Sequence, residues 1–246
     1  MQKTDLIEVI KKYYLGGLNN VMKYRIKDTN LVAQANSTGV FPYVEANVAG
    51  MEDAEFGVYY TDKLLSLLNV LDNEIGVGYD FKKNKITALN IKDKSMEASY
   101  MLADLTAVDE FYRAGNENKI LEFERVPLPE FSVEVAIKKD WTDVLLKAKR
   151  ALSDAKMVAL ELKGETLEFV VNYSKSQSSR IVFQVPATVE TPLDLQVHNI
   201  DLFVVILTAN QDYKSATLKI SDIGVVLFEF TSDSYVSKYL VKALDV

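Results

Sequence analysis

The chain has 246 residues, of which 48% are apolar and 26% charged, a composition typical of a globular protein of one large or two medium domains. It has no cysteine and one histidine, His198, which excludes disulfides, thiolate zinc sites, iron–sulfur clusters, cysteine nucleophiles and histidine metal cages. No apolar run is long enough to span a membrane, the N-terminus lacks a signal-peptide pattern, and a cytoplasmic location is expected.

Apolar residues at helical spacing predict a first helix over residues 5–15, with Leu6, Val9, Ile10 and Tyr13 on one face. Lys11 and Lys12 are predicted on the opposite, outward face, and Gly16-Gly17 should end the helix. The patterns that follow predict, in chain order, a β-rich region over 30–60, a helix over 61–71 and strands over 75–81, 85–92 and 95–103.

The second half repeats this order of patterns. An apolar stripe predicts a helix over residues 141–152, and Lys147 and Arg150 are expected on its outward side. The stripe consists of Trp141, Val144, Leu145, Ala148 and Leu152. The remaining patterns predict, in chain order, strands over 157–163 and 166–173, a helix over 199–209, and strands over 216–221, 224–230 and 234–243.

The two halves indicate an α+β protein of two similar domains. Residues 114–131 combine a polar stretch with Pro127 and Pro129, which is typical of a connector between domains. We therefore predict an N-terminal domain over residues 1–113, a connector over 114–131 and a C-terminal domain over 132–246.

Positive charge is concentrated in two windows of an otherwise acidic chain. The formal net charge is −7, which by itself argues against nucleic-acid binding. Residues 1–27 nevertheless carry +4 and residues 138–156 carry +3, and each window contains one of the predicted helices. Lysines placed in this way on two equivalent helices suit a surface that meets phosphates without reading bases.

No motif for catalysis or cofactor binding is present. Neither nucleotide-binding glycine fingerprint occurs, and the acidic run Glu52-Asp53-Glu55 is interpreted as a solvated loop. His198 precedes the predicted helix 199–209, and a capping or surface role is favoured over catalysis because no nucleophile motif accompanies it. We expect no enzymatic activity, no cofactor and no metal.

Several segments resemble the DNA polymerase sliding clamps of the two-domain, ring-forming type, which include proliferating cell nuclear antigen, and the T-even bacteriophage clamps are the most similar. The resemblance covers most of the chain, in the right order and spacing. The segments that carry it are Lys11-Lys12, Tyr43–Val48, Phe56–Ile75, Pro129–Val133, Lys147–Ser153 and the run SATLKISDIGVVLFEF with its closing strand.

The resemblance implies two clamp domains, each with two inner helices packed on outer antiparallel sheets, and a homotrimeric ring around duplex DNA. The implied partners are double-stranded DNA, a DNA polymerase, an ATP-dependent clamp loader and further copies of the chain, with no membrane. The DNA-facing residues would be Lys11, Lys12, Lys63, Lys147, Lys149, Arg150 and Lys214. The pocket for partner peptides would be formed by Phe41, Tyr43, Leu128, Pro129, Phe131, Tyr239 and Leu240.

Two features depart from the cellular clamps. The second predicted helix offers only Lys63, and the fourth has no lysine or arginine. Positive charge is therefore expected mainly on the first and third helices.

Two other functions remain open at this point. A monomeric processivity factor of similar fold would not encircle DNA and would need a stronger basic face. A β-rich structural protein of a virion would not need the basic helices.

Overall fold

The computed structural model describes residues 1–34, 39–83, 85–105, 108, 123, 127–174, 176 and 179–245. The chain divides into two compact units, Met1–Val126 with Asp233–Ser237, and Pro127–Ser232 with Lys238–Val246. Most of the predicted connector lies outside the described residues. Within the ranges above, no helix is both long and apolar enough to cross a bilayer.

The first unit contains two described α-helices, α1 (Lys3–Tyr14) and α2 (Thr61–Val70). A 3-10 turn over Leu15–Gly17 follows α1, and Gly16 and Gly17 have φ of 66° and 110°, which glycine adopts at low cost. The described strands of this unit are β1 (Met22–Lys27), β2 (Asn30–Gln34), β3 (Val40–Asn47), β4 (Ala54–Val58), β5 (Gly76–Lys82), β6 (Lys85–Lys92) and β7 (Glu97–Met101).

The described strands of the first unit form antiparallel pairs with one another. Four of them follow the order β3-β2-β1-β4, and the other three form a sheet in the order β5-β6-β7. Helix α1 packs on β3 and against α2. The core between them is aromatic: the rings of Tyr13 and Tyr24 meet edge to face at 5.5 Å between centroids, and Phe56 stacks on Tyr24 at 5.1 Å.

The second unit contains two described α-helices, α3 (Lys139–Ala151) and α4 (Ile200–Ala209). Its strands form the antiparallel orders β11-β10-β9-β13 and β12-β8-β14-β15-β16. The strand bounds are β8 (Val133–Ala136), β9 (Met157–Lys163), β10 (Thr166–Val171), β11 (Ile181–Pro186), β12 (Thr188–Val189), β13 (Gln196–Asn199), β14 (Ser215–Ile220), β15 (Val225–Thr231) and β16 (Tyr235–Lys242), of which residues 238–242 belong to this unit.

Sequence pattern explains how the two helices of the second unit differ. Helix α4 is apolar almost all round and packs on β9, and the side chain of Asn199 caps it by accepting a hydrogen bond from the Asp201 N–H at 2.9 Å. Helix α3 is amphipathic and packs on β10 and α4. Its predicted stripe is confirmed at Trp141, Leu145 and Ala148, which are buried, whereas Val144 is 39% exposed.

These elements confirm the predicted α+β class, with two helices packed on antiparallel sheets in each unit. The four predicted helices are present with ends shifted by at most two residues. The prediction for His198 is wrong, because this residue lies on β13 and is fully buried, and the cap of α4 is Asn199.

His198 gives the second unit an acid-sensitive site. Burial lowers the pKa of its imidazole to about 4, from an ordinary value near 6.5. Between about pH 6.5 and 4 the unfolded chain therefore binds a proton at this residue that the folded chain does not. As the pH is lowered through this window, the free energy of unfolding falls by about 1.4 kcal/mol per pH unit. Above the pKa of this histidine in the unfolded chain, the imidazole is neutral in both states and its contribution to the free energy of unfolding is fully present.

We predict that His198→Asn weakens the pH dependence of stability across this window by about 3 kcal/mol in total. Urea unfolding of both proteins at pH 7, 5.5 and 4.5 would measure this effect. The two proteins are compared by how their free energy of unfolding changes with pH, and not by the absolute stability of the variant. If the free energies of unfolding of the wild type and the variant change equally with pH, His198 already takes up its proton in the folded protein.

Candidate nucleic-acid interface

Helix α1 presents one of its two predicted lysines to solvent. Lys11 is exposed and pairs with Glu8 at 3.0 Å between Nζ and Oε1. Lys12 is only 1% exposed, and its Nζ lies 4.3 Å from the centroid of the Tyr235 ring and 3.7 Å from Glu8 Oε2. The prediction that Lys12 faces outward is wrong, because adjacent helical residues are about 100° apart and only Lys11 points away from the buried face.

Helix α2 contributes a single cation. Lys63 is exposed, and its Nζ lies 4.3 Å from the centroid of the Tyr60 ring, an arrangement that holds the ammonium group near the helix N-terminus. Its exposure is compatible with the predicted contact with DNA.

Helix α3 carries the clearest basic surface. Lys147 and Arg150 are both exposed and three residues apart, so their side chains are neighbours on the helix. Lys139 and Lys156, near the two ends of the helix, are exposed as well. Both lie within the second basic window, residues 138–156, and neither is among the residues that the sequence resemblance assigns to DNA contact.

Lys149 is committed inside the protein rather than presented to solvent. Its Nζ donates to the carbonyl oxygens of Ser153 at 2.9 Å and Ala155 at 2.7 Å, and it pairs with Asp201 of α4 at 3.0 Å. Only 15% of the side chain is exposed. The prediction that Lys149 faces outward is therefore wrong, because its charge binds the segment that follows α3 and joins α3 to α4.

This difference predicts different effects on stability for two neighbouring lysines. Lys149→Met should lower the free energy of unfolding by about 1–3 kcal/mol, because Asp201 and two carbonyls lose a charged donor. Lys147→Met removes the same charge from an exposed position and should change it by less than about 0.5 kcal/mol. Urea unfolding of the two variants gives the comparison, and equal losses would contradict the assigned role of Lys149.

Helix α4 has no basic residue, as the sequence predicted. Lys214 follows it and is exposed, and its backbone N–H donates to the Thr231 carbonyl at 2.8 Å. The exposed cations nominated from sequence are therefore Lys11 and Lys63 in the first unit and Lys147, Arg150 and Lys214 in the second.

The residues nominated for a peptide pocket differ in accessibility. Tyr43 is 2% exposed and contacts the Phe123 ring at 5.3 Å, and Tyr239 is fully buried and accepts a hydrogen bond from Asn210 Nδ2 at 2.9 Å. These two are core residues, and the prediction that they line an open pocket is wrong. Leu128 is exposed, and the half-buried members are Phe41, Pro129, Phe131 and Leu240.

Three of the described strands at sheet edges, β5, β7 and β11, carry exposed apolar side chains. β7 ends the order β5-β6-β7 and β11 ends the order β11-β10-β9-β13. Met101 of β7 is 71% exposed and Val182 of β11 is 44% exposed. Phe81 of β5, at the other edge of the β5-β6-β7 sheet, is 64% exposed. A sheet edge with apolar side chains is a template for pairing with another chain, and within the described residues the first unit has two such edges and the second has one.

The edges formed by β7 and β11 each adjoin an open groove. The groove beside β7 has a volume of about 760 Å³ and is lined by Tyr60, Lys63, Leu67 and Met101 among others. The groove beside β11 has a volume of about 530 Å³, with Trp141, Val144 and Phe183 among its lining residues. Among the residues described above, no group of three or more acidic or histidine side chains could hold a metal ion.

Comparison with known proteins identifies the architecture. No family model and no curated protein matches the sequence. The structure matches proliferating cell nuclear antigen from Entamoeba histolytica with a TM-score of 0.72 at 12% identity, covering 99% of this chain and 96% of that one. It also matches A. fulgidus PCNA, solved with the C-terminal region of FEN-1 bound, with a TM-score of 0.69 at 15% identity, covering 100% of this chain and 97% of that one. The chain therefore has, over its whole length, the fold of proliferating cell nuclear antigen.

Proposed function

We propose that this chain is a DNA sliding clamp, a ring that encircles duplex DNA and tethers a replicative polymerase without base-specific contacts. The observation that carries the proposal is the match to two PCNA structures across 96–97% of their length. We further propose that the clamp is of the T-even bacteriophage type and acts in the cytoplasm of a host cell. The ground for this proposal is the set of sequence segments that resemble those proteins.

The charge distribution supports this function. A ring retains DNA by its topology, so its inner surface needs only to offset the repulsion between phosphates and an acidic protein. Lys11 and Lys63 of the first unit and Lys147 and Arg150 of the second are helical, exposed and basic in a chain of net charge −7. With Lys12 and Lys149 committed to internal contacts, these four residues are our proposed DNA-facing set, together with Lys214.

The edges formed by β7 and β11 support assembly into a closed ring. β7 of one copy can pair with β11 of the next, which is a head-to-tail contact between different surfaces, and such contacts close into rings when the rotation permits. We propose three copies, as the resemblance implies. The ring removes two exposed edges per chain and covers Met101 and Val182.

A peptide site on the ring is proposed for polymerase and clamp-loader tails. With Tyr43 and Tyr239 in the core, the accessible candidates are Leu128 and the half-buried Phe41, Pro129, Phe131 and Leu240. Exposed and half-buried apolar residues of this kind suit the side-chain anchors of a short peptide. We assign the energy for ring opening to a separate ATP-dependent loader.

Light scattering across a dilution series tests the assembly. A species of three times the chain mass of 27.7 kDa that dissociates on dilution is expected. A monomer at every concentration would exclude a ring and leave a non-encircling factor or a structural protein of the same fold.

A threading assay then tests encirclement without a loader. At high protein concentration the ring should accumulate on linear duplex DNA with free ends, and much less on the same duplex whose ends are blocked by biotin–streptavidin. Equal binding to both forms would mean that retention is not topological.

A further inference from the structure

The turn between β5 and β6 presents an aromatic ring among lysines. We define the hairpin tip as Phe81, Lys82, Lys83 and Lys85, and all four side chains are exposed. Phe81 is 64% exposed, the highest value for an aromatic residue in the described part of the chain. Phe81 and Lys85 also line one open groove of about 620 Å³. An exposed ring and three cations therefore lie together at one end of the β5–β6 hairpin.

The tip is locally unfavourable for a hairpin. Lys82 lies directly opposite Lys85 in the register of β5 and β6, and like charges at such positions destabilise a strand pair. Lys83 has φ of 51°, in the left-handed region that favours glycine or asparagine. Local rules of this kind are broken where a protein uses the residues for something other than stability.

Internal partners leave most of this charge uncompensated. Lys85 pairs with Asp104 at 3.1 Å, and Asp80 accepts a hydrogen bond from Asn90 Nδ2 at 2.6 Å. Within the described residues, no carboxylate forms an ion pair with Lys82 or Lys83. An anionic ligand at the tip would relieve the repulsion between Lys82 and Lys85.

We propose that the hairpin tip is a binding site for single-stranded nucleic acid, in which a base stacks on Phe81 and the flanking phosphates meet Lys82, Lys83 and Lys85. Aromatic rings next to lysines are how proteins bind single strands without sequence preference, because every base has a flat face. A duplex keeps its bases stacked inside and cannot offer one to Phe81. An acidic polypeptide could meet the lysines but would gain nothing from stacking.

This site is separate from the proposed ring and does not depend on it. All four residues belong to one hairpin of the first unit, so a single copy contains the complete site. Three phosphate contacts predict weak binding with a slope of about −2 in a plot of log affinity against log salt. Weak contact is sufficient where another interaction already holds the protein on nucleic acid.

The test uses the full chain and a fluorescent dT12 oligonucleotide, with a second dT12 that carries one 5-iododeoxyuridine for photocrosslinking. Phe81→Ala should weaken dT12 binding about tenfold and abolish the crosslink, which we expect to map to Phe81. The double variant Lys82→Ala/Lys83→Ala should weaken binding as well and reduce the salt slope to about −1. Blunt duplex of equal length should bind no better to the wild-type chain than to Phe81→Ala.

The matched control is Lys92→Ala/Lys94→Ala, two exposed lysines at the opposite end of β6, where no exposed aromatic residue is described. It removes the same charge and should leave the crosslink at Phe81 unchanged. The proposal is overturned if Phe81→Ala binds dT12 as tightly as the wild type does. It is also overturned if polyglutamate displaces dT12 when the two polymers are present at the same concentration of negative charges. It is overturned equally if the crosslink maps elsewhere. A monomeric chain that still crosslinks at Phe81 would contradict the ring and support this site.

Discussion

Reversing the charges of Lys147 and Arg150 is expected to abolish retention on free-ended duplex DNA while leaving the trimer intact. Both side chains are exposed on α3, and neither forms an ion pair or a side-chain hydrogen bond within the described residues, so their replacement by glutamate breaks no such interaction there. The double variant makes the chain four charges more negative, and three copies would place six acidic groups near the phosphates. Each lost phosphate contact also lowers the salt dependence of binding.

The measurement is the threading assay at two salt concentrations, with light scattering on the same samples. We expect at least a tenfold loss of retained protein at low salt and a parallel loss of polymerase stimulation. Lys27→Glu/Lys242→Glu is the matched control, because it changes net charge equally at the exposed ends of strands β1 and β16. If both double variants lose DNA to the same degree, total charge rather than the α3 surface is responsible.

Placing a charge on β11 is the other change with a large expected effect. Val182→Glu should convert the trimer into monomers at concentrations where the wild type is fully assembled. The side chain is 44% exposed in the single chain, so the monomer should fold with little loss of stability. In the assembled ring the same carboxylate would be buried at an apolar edge without a partner, which costs several kcal/mol per interface.

Light scattering measures this effect, and urea unfolding confirms that the monomer is folded. Ile223→Glu provides the control, since Ile223 is 67% exposed but lies in the turn between β14 and β15, away from the β11 edge. A trimeric Val182→Glu protein would show that β11 is not the assembling edge. Loss of the trimer in both variants would point to a general effect of charge.

Helix faces were predictable from the sequence because they depend on local periodicity. Leu6, Val9, Ile10 and Tyr13 are buried as their spacing predicts, and Lys147 and Arg150 are exposed. The roles of Lys12 and Lys149 were not predictable in this way. Each long side chain bends toward a partner that the local pattern does not contain, Tyr235 for Lys12 and Asp201 for Lys149.

The same limit applies to the residues nominated for the peptide pocket. Alternation in strands marks Tyr43 and Tyr239 as candidates for either face, and only the packed structure shows that both lie in the core. Edge strands are a further case. The sequence predicted a strand over 95–103, which contains β7, and did not predict β11. It marked neither segment as an edge, because an edge is defined by the absence of a neighbouring strand and not by composition.

The first unit has a consequence for how the protein is made. It includes Asp233–Ser237, and Tyr235 from this segment lies over the ammonium group of Lys12. A ribosome must therefore synthesise a further ~110 residues after Val126 before the first unit has all of its parts, roughly 5–20 s at ordinary elongation rates. Until then Lys12 lacks its aromatic neighbour, so the N-terminal unit should reach its final stability only when nearly the whole chain has left the ribosome.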